Sequence, residues 1–267
     1  MFHLAVMPLA NPGEDLIRQM AAIISQPVYQ VRLVFAGPLP KIIAHYKDEA
    51  LAMTAVDSIK KLGVIVFPIA ETELKKPASV RLLANRIETG EGNIKFISRT
   101  GESVTIEQSG VFLLLTGRRA VTTQTAGNIT HMKLNLPATL LTGGLPMMKT
   151  VTTSGEKREQ LVEGFIKIYD GKSDTPMVEI RQGDFDYSSL GSQMACTAKT
   201  NFACVLESLK RSFSPTFFDQ NLSNGFPLES HRASGTDWVE ETCRLLYRYY
   251  QALGKPPTSP PLPLTSD

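Results

Sequence analysis

Reactive residue types are scarce in this sequence, and each scarcity excludes something. The three cysteines, Cys196, Cys204 and Cys243, lie far apart with no C-x-x-C pair, so spacing suggests neither a disulfide framework nor a cysteine metal site. The four histidines, His3, His45, His131 and His231, make no H-x-x-x-H or H-E-x-x-H spacing and none neighbours a cysteine, which removes the usual zinc motifs. No G-x-S-x-G is present, so the serine nucleophile elbow is missing as well. No apolar run exceeds Val111–Leu115, against the ~20 residues that a membrane-spanning helix requires. Lys and Arg occur as scattered pairs, Lys60–Lys61, Lys75–Lys76 and Arg118–Arg119, and the formal charge is only +2. Proteins that track phosphates concentrate positive charge on one face, so nucleic acid is not an expected partner. The start of the chain, Met1 to Pro8, lacks a basic leader and reaches Pro8, Asn11 and Pro12 too early for a signal segment. With the odd cysteine count, this leads to the expectation of a cytoplasmic protein.

What is present is an ordinary globular composition, 42% apolar and 20% charged, which argues against wholesale disorder. The first 70 residues read as one small α/β unit. Phe2–Leu9 reads as a strand, Glu14–Ser25 and Pro27–Ala36 as helices and Leu39–Tyr46 as extended chain. Asp48–Leu62 then reads as a third helix and Val64–Ile69 as a closing strand. Asn11-Pro12-Gly13-Glu14 supplies helix-start signals, and Leu16, Ile17, Met20, Ile23 and Ile24 recur at helical spacing. The third helix is expected to bury Leu51, Ala55, Ile59 and Leu62 and to stop at Gly63, which suits a left-handed terminal position.

This β-α-α-β-α-β order resembles the C-terminal domain of the bacterial ribosomal stalk protein. The resemblance rests on the strand Phe2–Pro8, Val31-Arg32, Gly37-Pro38 and the run from Asp48-Glu49-Ala50 to Ile59-Lys60-Lys61-Leu62-Gly63-Val64, about a quarter of the chain. It implies a small α/β sandwich. In that family a lysine-rich helical face engages translation factors. Here the first helix reads Gln19-Met-Ala-Ala-Ile-Ile24 without lysine, and only Arg32 lands on a basic position of that face.

After Lys75-Lys76-Pro77, which reads as a linker, the hydrophobic period changes from 3.6 to 2. Ile94–Ser98 and Val104–Ile106 flank the turn Arg99–Glu102, and Phe165–Tyr169 and Met177–Arg181 flank Asp170–Asp174, so two hairpins are expected. Val111–Leu115 reads as a short apolar strand, from which Gly117-Arg118-Arg119 leads into Ala120–Thr125. Helices are expected near 200–213, with Phe202, Val205, Leu206, Leu209 and Phe213 inward, and near 237–253, with Trp238, Leu245, Leu246, Tyr249 and Leu253 inward. Short antiparallel strands covered by an amphipathic helix resemble the pleckstrin-homology-like architecture. The fold class is therefore α+β: a small α/β sandwich over 1–76, then an antiparallel β-sheet or partly open barrel over 80–254 covered by C-terminal helices. Residues 255–267, rich in proline, read as an extended tail.

Gly143-Gly-Leu-Pro-Met-Met-Lys149-Thr150 approaches a phosphate loop, but Met148 replaces its second glycine and the following Val151-Thr152-Thr153 is not helical in pattern. Asp184 and Asp186 flank Phe185 at the spacing that would put both carboxylates on one face of a strand. No set of residues assembles nucleophile, base and oxyanion donor, and neither cofactor nor metal is expected. The reading favoured by sequence is a non-catalytic interaction or regulatory scaffold protein whose partner is another protein, with Tyr29, Arg32, Arg118 and Arg119 as the expected contact surface. Two alternatives stand beside it. One is a hydrolase or transferase pooling Asp184, Asp186, His131 and Lys149 between domains; the other is a binder of small anions through Arg118 and Arg119.

Overall fold

The computed structural model of the chain describes the backbone of residues 1–134, 148–224 and 238–254, and the side chains of 1–121, 148, 161–223 and 238–254. Most of Gly143–Thr150, the cap position Asp237, His231 and the proline-rich tail lie outside the described residues, as do the side chains of His131 and Lys149.

The fold is mixed α+β. Strand β1 (Phe2–Val6) is the centre of a three-stranded antiparallel sheet, between β2 (Lys41–Tyr46) and β3 (Val66–Ala70). Three helices, α1 (Glu14–Ile23), α2 (Val28–Val34) and α3 (Glu49–Lys60), cover one face of that sheet. Alternation along β1 sends Leu4 and Val6 toward these helices, where they meet Ile17, Met20, Val31, Val56 and Ile59. Asp48 caps α3 by accepting from the Ala50 amide at 3.0 Å, and Gly63 takes the left-handed conformation (φ 78°) that ends it. The buried stripe of α3 is Ala52, Ala55, Val56 and Ile59, spaced three and four apart. Leu51 lies one position off that stripe and is exposed, contrary to the sequence expectation.

The other face of the sheet carries Ala5, Phe67 and Ile69, which pack with Leu74 of the short helix α4 (Glu71–Leu74). The C-terminal helix reaches the same face through its Leu245 and Tyr249. Between these ends come β4 (Leu82–Ala84), β5 (Arg86–Thr89), β6 (Asn93–Ile97), β7 (Ser103–Glu107), β8 (Leu113–Leu134), β9 (Met148–Tyr169) and β10 (Val178–Arg181). There follow α5 (Ala198–Phe213), β11 (Phe217–Gln220), α6 (Asn221–Asn224) and α7 (Trp238–Leu253). Strands β5, β6 and β7 make an antiparallel sheet. The larger sheet runs β11-β8-β9-β10-β4, and its edge strands β4 and β11 are parallel to their neighbours, so it is mixed where sequence suggested antiparallel. None of the three sheets closes on itself among the described residues. Ala120–Thr125 is not a separate strand, because β8 continues through Gly117 without a break.

One face of the five-stranded sheet, with Ile166, Ile168, Val178 and Ile180, packs against Phe202, Val205, Leu209 and Phe213 of α5 and against Ile94 and Phe96 of β6. The opposite face presents Leu113, Leu115, Phe165 and Tyr169 to Val239, Cys243, Leu246 and Tyr247 of α7. Helix α7 is thus enclosed between two sheets, which is why it buries residues around nearly its whole circumference, including Glu240, Thr242 and Arg244. A helix over a barrel end would bury one stripe only.

By contacts the chain divides into a larger unit, Met1–Arg118 with residues from Gly164 onward, and a smaller one, Arg119–Glu163. Residues 1–76 belong to the larger unit together with most of the β region. Among the described residues no helix is long and apolar enough to cross a membrane.

Candidate interaction surface

Helix α2 is short and buries only Val31. A seven-residue helix is not stable by itself, so its ends are held from outside. Lys41, at the start of β2, donates to the Leu33 carbonyl at 3.0 Å and to the Ala36 carbonyl, tying down the C-terminal end. Burial pushes the Lys41 ammonium below its ordinary value. Arg32 Nη2 reaches both oxygens of Glu14 on α1, at 2.7 and 2.8 Å. Both side chains are more than half exposed, so this pair orients α2 against α1 and contributes little stability.

An open cleft of about 630 Å³ lies at this corner. Pro8 to Pro12, Glu14 and Ile17 form one side, and Arg32 with Phe35 to Pro38 the other. Beside it α2 exposes Tyr29 (66%) and Leu33 (50%), four residues apart and so on one ridge, with Val28 partly exposed as well. Of the residues expected at a contact surface, Tyr29 and Arg32 therefore share this corner, and Leu33 joins them. Leu33 escapes a reading based on polar candidates, although its i, i+4 relation to Tyr29 was available in the sequence.

Arg118 and Arg119 lie on β8 and do not line the cleft. Arg118 is exposed. Arg119 donates from Nε and Nη2 to Glu163 Oε1, at 2.8 and 2.7 Å, with both side chains largely buried, so the two arginines do not present paired free cations to an anion.

The acidic pair does not share a strand face. Asp184 and Asp186 follow β10 in a turn, where two-residue alternation does not hold. Asp184 lies 3.6 Å from Arg99, and Asp186 accepts from the Ser188 amide and hydroxyl at 2.9 and 3.0 Å. Those bonds hold the Asp186 carboxyl below its usual range. Asp170 accepts from the Lys172 amide, and Asp174 faces Lys76 at 3.8 Å. The described residues contain no group of three or more His, Cys, Asp or Glu placed to hold a metal.

Two titratable clusters were not foreseen. His3 and His45 are cross-strand partners on β1 and β2, with Nδ1 atoms 2.7 Å apart and rings edge to face. Burial, then His45, hold the His3 imidazolium below its ordinary value, with Glu71 opposing. The second cluster is deeper. Lys167 on β9 is 2% exposed, donates to Glu240 of α7 and lies 3.7 Å from Glu179, its register partner on β10. Glu179 also accepts from Arg181 Nε at 2.7 Å. Burial alone would depress the Lys167 ammonium, but nearby Cys243, Glu240 and Glu179 outweigh it and leave the group above its ordinary value. A sequence signal existed: Phe165–Tyr169 and Val178–Ile180 are apolar strands each interrupted by one charge, of opposite sign. Bridging β9, β10 and α7, the cluster seats α7 on the sheet. Comparison with protein-family models, with curated proteins and with solved structures finds no match to this chain.

Proposed function

We propose that this chain is a non-catalytic, cytoplasmic interaction or scaffold protein that docks another protein on the α1–α2 corner. The observation that carries the reading is the exposed ridge of Tyr29 and Leu33 beside an open cleft bordered by Arg32. Exposed aromatic and aliphatic anchors next to an arginine are the composition of protein contact sites, where a few such residues dominate affinity. The resemblance of residues 1–70 to the ribosomal stalk domain supports the same face, since that family engages its partners through helices. Helix α5, packed on one face of the five-stranded sheet, is what supports the pleckstrin-homology-like reading of the β region.

The test uses point variants, because removing residues 1–76 would strip cover from Leu245 and Tyr249 and take the Leu74 carbonyl from Arg244. Wild-type chain and the Tyr29→Ala/Leu33→Asp double variant are compared in affinity capture, with thermal unfolding as a control. Both positions are exposed, so stability should change by no more than about 0.5 kcal/mol per site. A protein retained by the wild type and lost by the variant supports the proposal. Identical retention by both would remove this face from consideration.

A further inference from the structure

Strand β2 is an edge strand: among the described residues it pairs only with β1. Its two ends hold different partners. At its start Lys41 donates to the Leu33 and Ala36 carbonyls, which ties the end of α2 to the strand. Near its other end His45 stands opposite His3 of β1, with the two Nδ1 atoms 2.7 Å apart. His45 also lines a hollow of about 260 Å³ between β2 and α2, together with Gln26, Gln30 and Val34.

Two imidazoles meeting through these nitrogens share one proton, since one ring donates N–H and the other accepts through its lone pair. A proton added at an outer ring nitrogen leaves that bond in place. The next proton must occupy the accepting lone pair, and two N–H groups then face each other. His3 is 5% exposed, so little water reaches a doubly charged pair, whereas His45 is exposed and has room to turn away. The other charges acting on His3 are Glu71 and Lys75, an ion pair at 2.6 Å, and the Met1 amine. Glu241 of α7 acts on Lys75, and the α1–α2 side of the hollow brings only the neutral amides of Gln26 and Gln30. No unpaired acid in this set offsets a second imidazolium.

We propose that the His3–His45 pair is a proton-operated latch on β2, closed by the shared proton, opened when both rings are imidazolium, and transmitted through Lys41 to the α2 ridge. On opening, the His45 ring leaves His3, and the hollow offers it the side-chain carbonyls of Gln26 and Gln30. Helix α2 follows because it buries only Val31 and is held at its end by β2 itself. The regulatory meaning rests on the docking reading above: acid withdraws the ridge of Tyr29 and Leu33 from its partner.

Amide hydrogen exchange of the full chain tests the latch with no partner present, so its failure is distinct from failure of the docking reading. Amides of α2 are compared with those of α3 in the same sample as pH is lowered from about 7 to about 5. Opening linked to one proton should speed α2 exchange relative to α3 by about tenfold per pH unit once the second imidazolium forms. His45→Gln changes an exposed position and removes the second imidazole, so its ratio should stay constant. A constant ratio in the wild type would overturn the proposal. So would an equal rise in the variant, or imidazole resonances that titrate while α2 exchange stays level with α3.

Discussion

Replacing Lys167 by methionine isolates what holds α7 against the five-stranded sheet. Methionine keeps most of the stem volume, so the cavity contribution is small and the loss is electrostatic. Glu179 would retain Arg181 at 2.7 Å, whereas Glu240, with a side chain 10% exposed, would lose its ion-pair partner. Removing one member of a buried pair costs about 3–5 kcal/mol, which is the expected destabilisation. Glu240→Gln should cost less, about 1–3 kcal/mol, because Lys167 keeps Glu179 at 3.7 Å and the amide oxygen still accepts. The double variant Lys167→Met/Glu240→Leu should recover most of the loss, since a buried pair replaced by apolar groups leaves no orphaned charge. Urea unfolding of all four proteins, with slopes compared, is the assay. The reasoning fails if Lys167→Met costs less than about 1 kcal/mol, the value of a solvated surface pair, or if the double variant is no more stable than Lys167→Met alone. The pH dependence has a definite sign. With its folded value above the ordinary 10.5, Lys167 contributes stability that is complete below that pH and is lost as pH climbs through the folded value.

Three further outcomes follow from the same structure. His3 is held below its ordinary 6.5, so stability is full above that pH and falls as the solution is acidified and the unfolded chain takes up the proton first; His3→Gln should flatten urea midpoints between neutrality and about pH 5. Arg244 donates to the Leu74 and Pro77 carbonyls at 2.6 and 3.0 Å, so Arg244→Met should cost about 3 kcal/mol and speed proteolysis at Lys75-Lys76, with an unchanged cleavage rate as the contrary result. A Cβ at Gly117 would lie 2.6 Å from Leu222 Cβ and 2.7 Å from Phe165 Cζ, so Gly117→Ala should lower stability by about 1–3 kcal/mol, measurable as a reduced Tm.

The sequence by itself determined the order of the elements within residues 1–70, the two hairpins and the helices α5 and α7. Asp48, Gly63 and the recurrence of Ala55 and Ile59 act through bonds and contacts within a few residues, which is why α3 was legible although its stripe was read one residue off at Leu51. The pairs at Phe2–Tyr46 and Ile94–Ile106 belong to short antiparallel sheets whose alternation is visible in a single strand. Tyr29 and Arg32 could be proposed as surface residues because α2 has one inward position, Val31, and its other side chains must point elsewhere. Only the tertiary structure decided what depends on distant partners. The parallel edges β4 and β11 result from chain crossings that no local pattern records. Helix α7 has two apolar sides because two sheets need cover, and the residues that the sequence put on one inward face are divided between them, Trp238, Leu246 and Leu253 on one side and Leu245 and Tyr249 on the other. Lys167 with Glu240, and His3 with His45, are pairs whose members lie far apart in the chain, and a side chain's charge says nothing of its partner until the fold brings the two together.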